Sequence, residues 1–250
     1  MFLEKSDFMS NKRIELSGTF YVGIADENVQ ETDDYQPQDY SKCDTLAHCE
    51  YNNMSKLPKF VTKCMALGIK PLCGVSFFLK TPEDCLTDNL TIVCYAEDEE
   101  GTLDLEHLYS CSELGWVKHE DFRKYSKHLQ IGLNVIFCEA DMLVIENIIE
   151  TVFVPDFVVI DMEQHHFRCW NTFQKILEEK NIPICGGGFP VDCSVDDEII
   201  IKEDFAPYGD KAYEYVIENP RKIADRISGN YRFDVSLIKK LTIEKECLPF

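Results

Sequence analysis

The densest cluster of ligand-type side chains in the 250-residue chain is Asp161, Glu163, His165 and His166. The cluster lies at the end of the apolar run FVVIDM, which has the character of a strand. Side chains two positions apart on an extended chain share one face, so Asp161, Glu163 and His165 would point the same way. Two carboxylates and an imidazole can hold one divalent ion, or act as an acid and base pair. An exposed polar strand end explains the same residues without any chemistry.

A run of three glycines, Gly186 to Gly188, follows the apolar IPIC. Glycines after a late barrel strand can let backbone N–H groups approach a phosphate, although a simple turn needs the same residues. No GKS or GKT follows, which excludes a Walker loop. Cys185 and Cys193 flank the run without a basic residue within two positions, so neither has the environment of an activated nucleophile. His48 and Cys49 are neighbours on a predicted strand and therefore face opposite sides, which prevents direct pairing.

The chain is strongly acidic, with 45 carboxylates against 25 basic side chains and a formal charge of -20. This balance disfavours a broad nucleic-acid-binding face. Residues 26–39 alone hold six carboxylates and no basic residue, which fits either a solvated loop or a surface that docks a basic protein. The residues expected to contact such a partner are Glu31, Asp33, Asp34, Tyr35 and Tyr40.

Nothing in the sequence indicates secretion or membrane insertion. The first 18 residues lack the apolar core of a signal peptide, and no apolar stretch approaches the length of a membrane span. We therefore expect a cytoplasmic protein without contact to a membrane. The twelve cysteines form no CxxC pair, so most are expected to be small buried hydrophobic residues rather than metal ligands.

Short apolar runs alternate with amphipathic segments along the chain. Fully buried parallel strands have this apolar character. Residues 57–67 carry apolar side chains at helical spacing and precede Gly68, a typical C-cap residue. Helices are also predicted over 103–114, 140–150 and 169–179. The pattern predicts an α/β fold, in the form of a closed barrel. Its seven strands would be residues 19–25, 45–49, 70–79, 90–96, 130–138, 157–162 and 182–186.

No linker divides the chain, which predicts one barrel domain over 1–209 and a helical C-terminal extension over 210–250, packed on the barrel. Within the extension, residues 210–227 have helical character on both sides of Pro220. Because proline is favoured in the first turn of a helix, we expect a second helix to begin there, with Asn219 as its N-cap.

Three stretches resemble the polymerase and histidinol phosphatase (PHP) domain of bacterial C-family replicative DNA polymerase alpha subunits. Residues 60–79 (FVTKCMALGIKPLCGVSFFL) are similar to the helix, GIKPIIG turn and following strand of that family. Residues 90–110 (LTIVCYAEDEEGTLDLEHLYS) resemble its next strand and helix. Residues 212–227 (AYEYVIENPRKIADRI) resemble a segment that follows the PHP core. The three stretches follow the order and spacing of the family, and together they extend over nearly the whole chain.

The resemblance implies a distorted seven-stranded β/α barrel, in which active members hold three metal ions at the carboxyl ends of the strands. Most of the ligand positions are changed in this chain. The first HxH motif falls within YVGIAD, which has no histidine, and a later histidine falls near Asn89. Only Cys138 keeps a ligand-type side chain in a fitting place. The positions that correspond to family ligands are Glu50, Tyr51, Ser76, Cys138, Phe189 and Val191.

Tyr, Ser, Phe and Val provide too few anionic and imidazole ligands for a multi-metal centre. The resemblance therefore implies a catalytically degenerate protein without a cofactor, which acts as a binding or scaffolding module. Its partner would be a subunit of a DNA polymerase III-type replication complex or another basic protein. The acidic loop would lie over the old active-site mouth. The alternative is a phosphoesterase or 3′–5′ exonuclease that uses Mn or Zn at a rebuilt site formed by Asp161, Glu163, His165 and His166.

Overall fold

A computed structural model describes residues 44–135, 139–160, 166–187 and 205–246. Within them the chain forms one seven-stranded sheet and eight helices, which confirms an α/β fold. None of these helices is both long enough and apolar enough to cross a membrane. The strands are β1 (Thr45–Tyr51), β2 (Lys70–Lys80), β3 (Asn89–Ala96), β4 (Trp116–Lys118), β5 (Leu129–Asn134), β6 (Phe157–Ile160) and β7 (Ile184–Gly186).

The sheet has the order β1-β2-β3-β5-β6-β7 and curls into a half-barrel. Strand β1 pairs with β2 only as far as Ser76. Beyond that point the short strand β4 pairs with the same edge of β2, at Phe78 to Lys80. The neighbours of β3 run antiparallel to it, so the expectation of uniformly parallel strands is wrong at this position. The other neighbouring strands are parallel. The predicted strand 19–25 lies outside the described residues.

The sheet has two differently covered faces. One face packs against helices α1 (Leu57–Leu67), α2 (Glu99–Cys111), α3 (His119–Lys124), α4 (Glu139–Leu143), α5 (Ile145–Thr151) and α6 (Trp170–Glu179). We call the opposite, concave side the inner face. Part of the inner face is a separate apolar cluster. The strands contribute Ala47, Cys49, Leu72, Val93, Tyr95, Phe157, Val159 and Cys185 to it.

The last helices complete the fold. Helix α7 consists of three consecutive stretches, Lys211–Tyr213, the π-helical Glu214–Glu218 and Asn219–Arg226. Its Ile223 and Ala224, with Ile227, cover the inner-face cluster. Helix α8 (Val235–Glu246) packs beside α2.

Three predicted helical segments differ from the structure. The helix predicted over 140–150 is observed as two, α4 and α5. Helix α2 begins at Glu99, before the predicted 103, because the Asp98 side chain accepts hydrogen bonds from the N–H groups of Glu100 and Gly101 and caps the first turn. The expectation that Asn219 caps a new helix is wrong. Its buried amide instead donates to the Ile184 carbonyl oxygen at 2.9 Å and ties α7 to β7, while the π-helical turn carries the helix up to Pro220.

Candidate functional site

Two of the positions named from the resemblance, Tyr51 and Ser76, lie side by side near the carboxyl end of β1. Tyr51, the last residue of β1, is directly opposite Ser76 of β2, and both belong to the inner face. Ser76 is only 3% exposed. The Tyr51 hydroxyl donates to the Leu114 carbonyl oxygen at 3.1 Å, and burial raises the pKa of this phenol. This pair therefore offers a phenol and a hydroxyl, and neither side chain carries a charge at neutral pH.

Gly115 lets the Tyr51 ring take this position. A Cβ atom on Gly115 would lie 1.9 Å from the Tyr51 hydroxyl oxygen. The backbone there also has a φ of +85°, which favours glycine. The ring is therefore held by a close backbone approach as well as by its hydrogen bond.

Three half-buried aromatic side chains form a ladder across this end of the sheet. The ring centroids of Tyr51 and Phe78 are 5.0 Å apart, as are those of Phe78 and Trp116. Phe78 and Trp116 lie directly opposite each other on β2 and β4. Lys80 follows on the same face, with its Nζ 5.8 Å from the centre of the Trp116 ring. We refer to Tyr51, Phe78, Trp116, Lys80 and Lys118 as the rim.

Glu50 does not belong to the inner face, because it alternates with Tyr51 along β1. Its carboxylate accepts hydrogen bonds from Asn53 Nδ2 at 2.6 Å and Lys56 Nζ at 2.9 Å, and lies 3.5 Å from His48 Nε2. Burial alone would raise the pKa of Glu50, but His48 and Lys56 together hold it below its ordinary value. His48 also stacks on Phe60 of α1, with centroids 5.1 Å apart. This carboxylate fastens β1 to the segment before α1.

Glu50→Gln is expected to lower the free energy of unfolding by about 1 kcal/mol at neutral pH, because it removes the anion that these donors surround. The pKa of Glu50 is lower in the folded state than its ordinary value of 4.5. The Glu50 carboxylate therefore contributes fully to the free energy of unfolding above pH 4.5, and this contribution is lost as the pH falls through the folded pKa. Urea unfolding at neutral and acid pH measures both values. The exposed Glu83→Gln is the control and should have little effect at either pH. A loss from Glu50→Gln that persists undiminished in acid would contradict the assignment.

The buried cysteines of the inner face do not have the environment of nucleophiles. Cys49 is 3% exposed, and burial raises the pKa of its thiol well above the ordinary value. Cys185 lies on β7 with no exposed surface. His48 faces the helices while Cys49 faces the inner cluster, which confirms that this neighbouring pair cannot interact directly as a catalytic dyad.

The other predicted site residues are only partly placed. His166 is exposed in a short turn before α6, and Asn89 is the exposed first residue of β3, opposite Lys80. In the part of the chain that the structure describes, no group of three or more His, Cys, Asp or Glu side chains is arranged to hold a metal ion. The predicted residues outside the described ranges are Asp161, Glu163, His165, Cys138, Phe189, Val191, Glu31, Asp33, Asp34, Tyr35 and Tyr40.

A cleft of about 310 Å³ lies between α6 and α7. Its walls include Trp170, Tyr208 and Tyr215, and Gln174 Nε2 donates to the Tyr215 hydroxyl at 2.9 Å. Lys211, at the edge of the cleft, is paired with glutamates of both helices. Because Gln174 bonds to Tyr215 and Lys211 pairs with a glutamate of each helix, the cleft has the character of a helix junction.

Sequence reasoning missed Trp116 and Lys118, the two rim residues that β4 supplies. The sequence of β2 did contain a signal for the rim. Ser76, Phe78 and Lys80 are two positions apart and so share one face of the strand, which indicates a polar and aromatic strand end. The three residues of β4 are too few to show a period of their own.

No protein-family model matches the chain, and no curated protein matches it. The class that the fold defines is therefore an α/β protein with a curled, half-barrel sheet and an aromatic rim.

Proposed function

We propose that the chain is a degenerate, PHP-like cytoplasmic protein that acts as a binding or scaffolding module associated with a DNA polymerase III-type replication complex. The observation that carries this proposal is the packing of Tyr51 against Phe78, beside the buried Ser76. Tyr51, at a position that would carry a metal ligand in an active relative, instead forms a continuous aromatic surface with Phe78 and Trp116. Such a surface suits partner binding, where aromatic side chains dominate the contact energy.

The segments that carry the resemblance support a retained scaffold. Residues 60–79 build most of α1 and all but the last residue of β2, and residues 90–110 build most of β3 and α2. Residues 212–227 supply the part of α7 that covers the inner face. These segments supply part of the core, so their retention is expected when the architecture is needed and the hydrolytic chemistry is not.

The test uses the full chain, immobilised at micromolar concentration and exposed to a lysate of the source cells. We expect a replicative polymerase subunit to be retained and identified by mass spectrometry. An unrelated protein of similar size and acidity is the control bait, since acidic surfaces bind basic proteins without specificity. Retention of no replication protein, or equal retention by the control bait, would contradict the proposal.

A further inference from the structure

Two lysines face each other at the rim. Lys80 of β2 and Lys118 of β4 are direct partners in the strand register, and both are exposed. They lie on the same face as Phe78 and Trp116, two residues further along each strand. Like charges directly opposite each other destabilise a pair of strands, so this arrangement carries a cost in the isolated protein.

No carboxylate of the described residues offsets that cost. The ion pairs formed by lysines there involve Lys56, Lys175, Lys211, Lys222 and Lys240, and neither rim lysine takes part in one. The Lys80 Nζ lies 5.8 Å from the centre of the Trp116 ring. Two lysines that form no ion pair with any described residue thus lie beside a half-exposed aromatic ladder, in a chain whose net charge is -20.

Neighbouring groups extend the same surface onto β3. Thr91 is directly opposite Phe78, and Asn89 is directly opposite Lys80. Both belong to the inner face, and they add a hydroxyl and an amide that can bond to a main chain or a carboxylate. The surface therefore offers stacking, charge and hydrogen bonding within one small area.

We propose that the rim binds an acidic peptide segment that also carries an aromatic residue or a proline. The carboxylates lie against Lys80 and Lys118, and the ring stacks on the exposed faces of Phe78 and Trp116. This inference rests on the proposed function and names the chemistry of the partner. Single-stranded nucleic acid fits less well, because its continuous phosphates exceed the two lysines and meet the negative field of the whole protein.

The probe is a short fluorescein-labelled peptide of Glu, Tyr and Pro, and its binding to the full chain is followed by fluorescence anisotropy. We expect saturable binding that Lys80→Glu with Lys118→Glu weakens by about five- to tenfold. The matched control is Lys180→Glu with Lys239→Glu, which changes the net charge equally at two exposed lysines away from the rim. The control should bind within about twofold of the unchanged protein. All three proteins should show the same melting temperature, since every altered side chain is exposed.

Two further probes test the chemistry. A peptide with Gln in place of Glu, and one with Ser in place of Tyr and Pro, should each bind more weakly than the original. The inference is overturned if no probe binds saturably, if both double variants lose affinity equally, or if an oligothymidylate binds more tightly than the peptide. Retention of a replication protein by the rim double variant in the same amount as by the unchanged protein would overturn this inference alone. Peptide binding without retention of any replication protein would instead contradict the proposed function.

Discussion

Gly132→Ala is expected to lower the free energy of unfolding by about 3 kcal/mol. Gly132 of β5 is directly opposite Phe157 of β6, and both belong to the inner face. A Cβ atom at position 132 would lie 2.4 Å from Phe157 Cε2 and 2.5 Å from its Cζ. Because Phe157 is fully buried, its ring cannot move away without displacing its neighbours.

Chemical denaturation of two comparison variants separates this clash from the general effect of replacing a glycine. Gly68→Ala has no heavy atom within 4 Å of the new Cβ, but its φ of +70° should cost about 1 kcal/mol. Phe157→Leu in the Gly132→Ala background should recover part of the loss, because the smaller side chain makes room. A loss from Gly132→Ala no larger than that from Gly68→Ala would show that the inner face is not packed in this way.

Ser76→Glu should lower the free energy of unfolding by about 3–5 kcal/mol at neutral pH. The substitution introduces a carboxylate at a position where the proposed resemblance would have a metal ligand, but Ser76 is 3% exposed and lies between Tyr51 and Val93 on the neighbouring strands. Neither neighbour carries a charge that could balance the new one. The position has therefore been packed for a small neutral side chain.

The pH dependence of Ser76→Glu identifies charge as the cause. Burial raises the pKa of the introduced carboxyl above its unfolded value, so the folded state binds the proton more tightly. The penalty is therefore fully present above the folded pKa and shrinks as the pH falls toward the unfolded pKa. Ser76→Gln, of equal size but neutral, should show a smaller loss that does not change with pH. Urea unfolding at acid and neutral pH gives both curves, and parallel curves for the two variants would contradict the explanation.

Parts of this fold follow from local sequence because local forces fix them. Residues 57–67 combine helical spacing, Pro58 in the first turn and Gly68 at the C-cap, and the observed helix has the predicted bounds. Strand β4 depends instead on a tertiary circumstance, since it occupies the edge of β2 that is free beyond Tyr51. Asn219 is a similar case, because its amide bonds to the distant Ile184 carbonyl oxygen in place of the local backbone.

The candidate site divides in the same way. Alternation along β1 is enough to predict that His48 and Cys49 face opposite sides, and the structure confirms this. The predicted strand ended at Cys49, so the opposite orientations of Glu50 and Tyr51 were not predicted. The approach of Tyr51 to Ser76 needed the register between β1 and β2, which the sequence alone does not determine. The Lys80 and Lys118 pair was beyond prediction, because one of its members belongs to β4.

One measurement decides whether this protein binds or hydrolyses. The purified full chain is assayed for manganese and zinc content, and for metal-dependent hydrolysis of p-nitrophenyl phosphate and single-stranded DNA. A degenerate binding module should retain no stoichiometric metal and should hydrolyse neither substrate above the rate of the buffer. Stoichiometric manganese or zinc, together with hydrolysis that His165→Ala abolishes, would contradict the account and establish an enzyme with a rebuilt site.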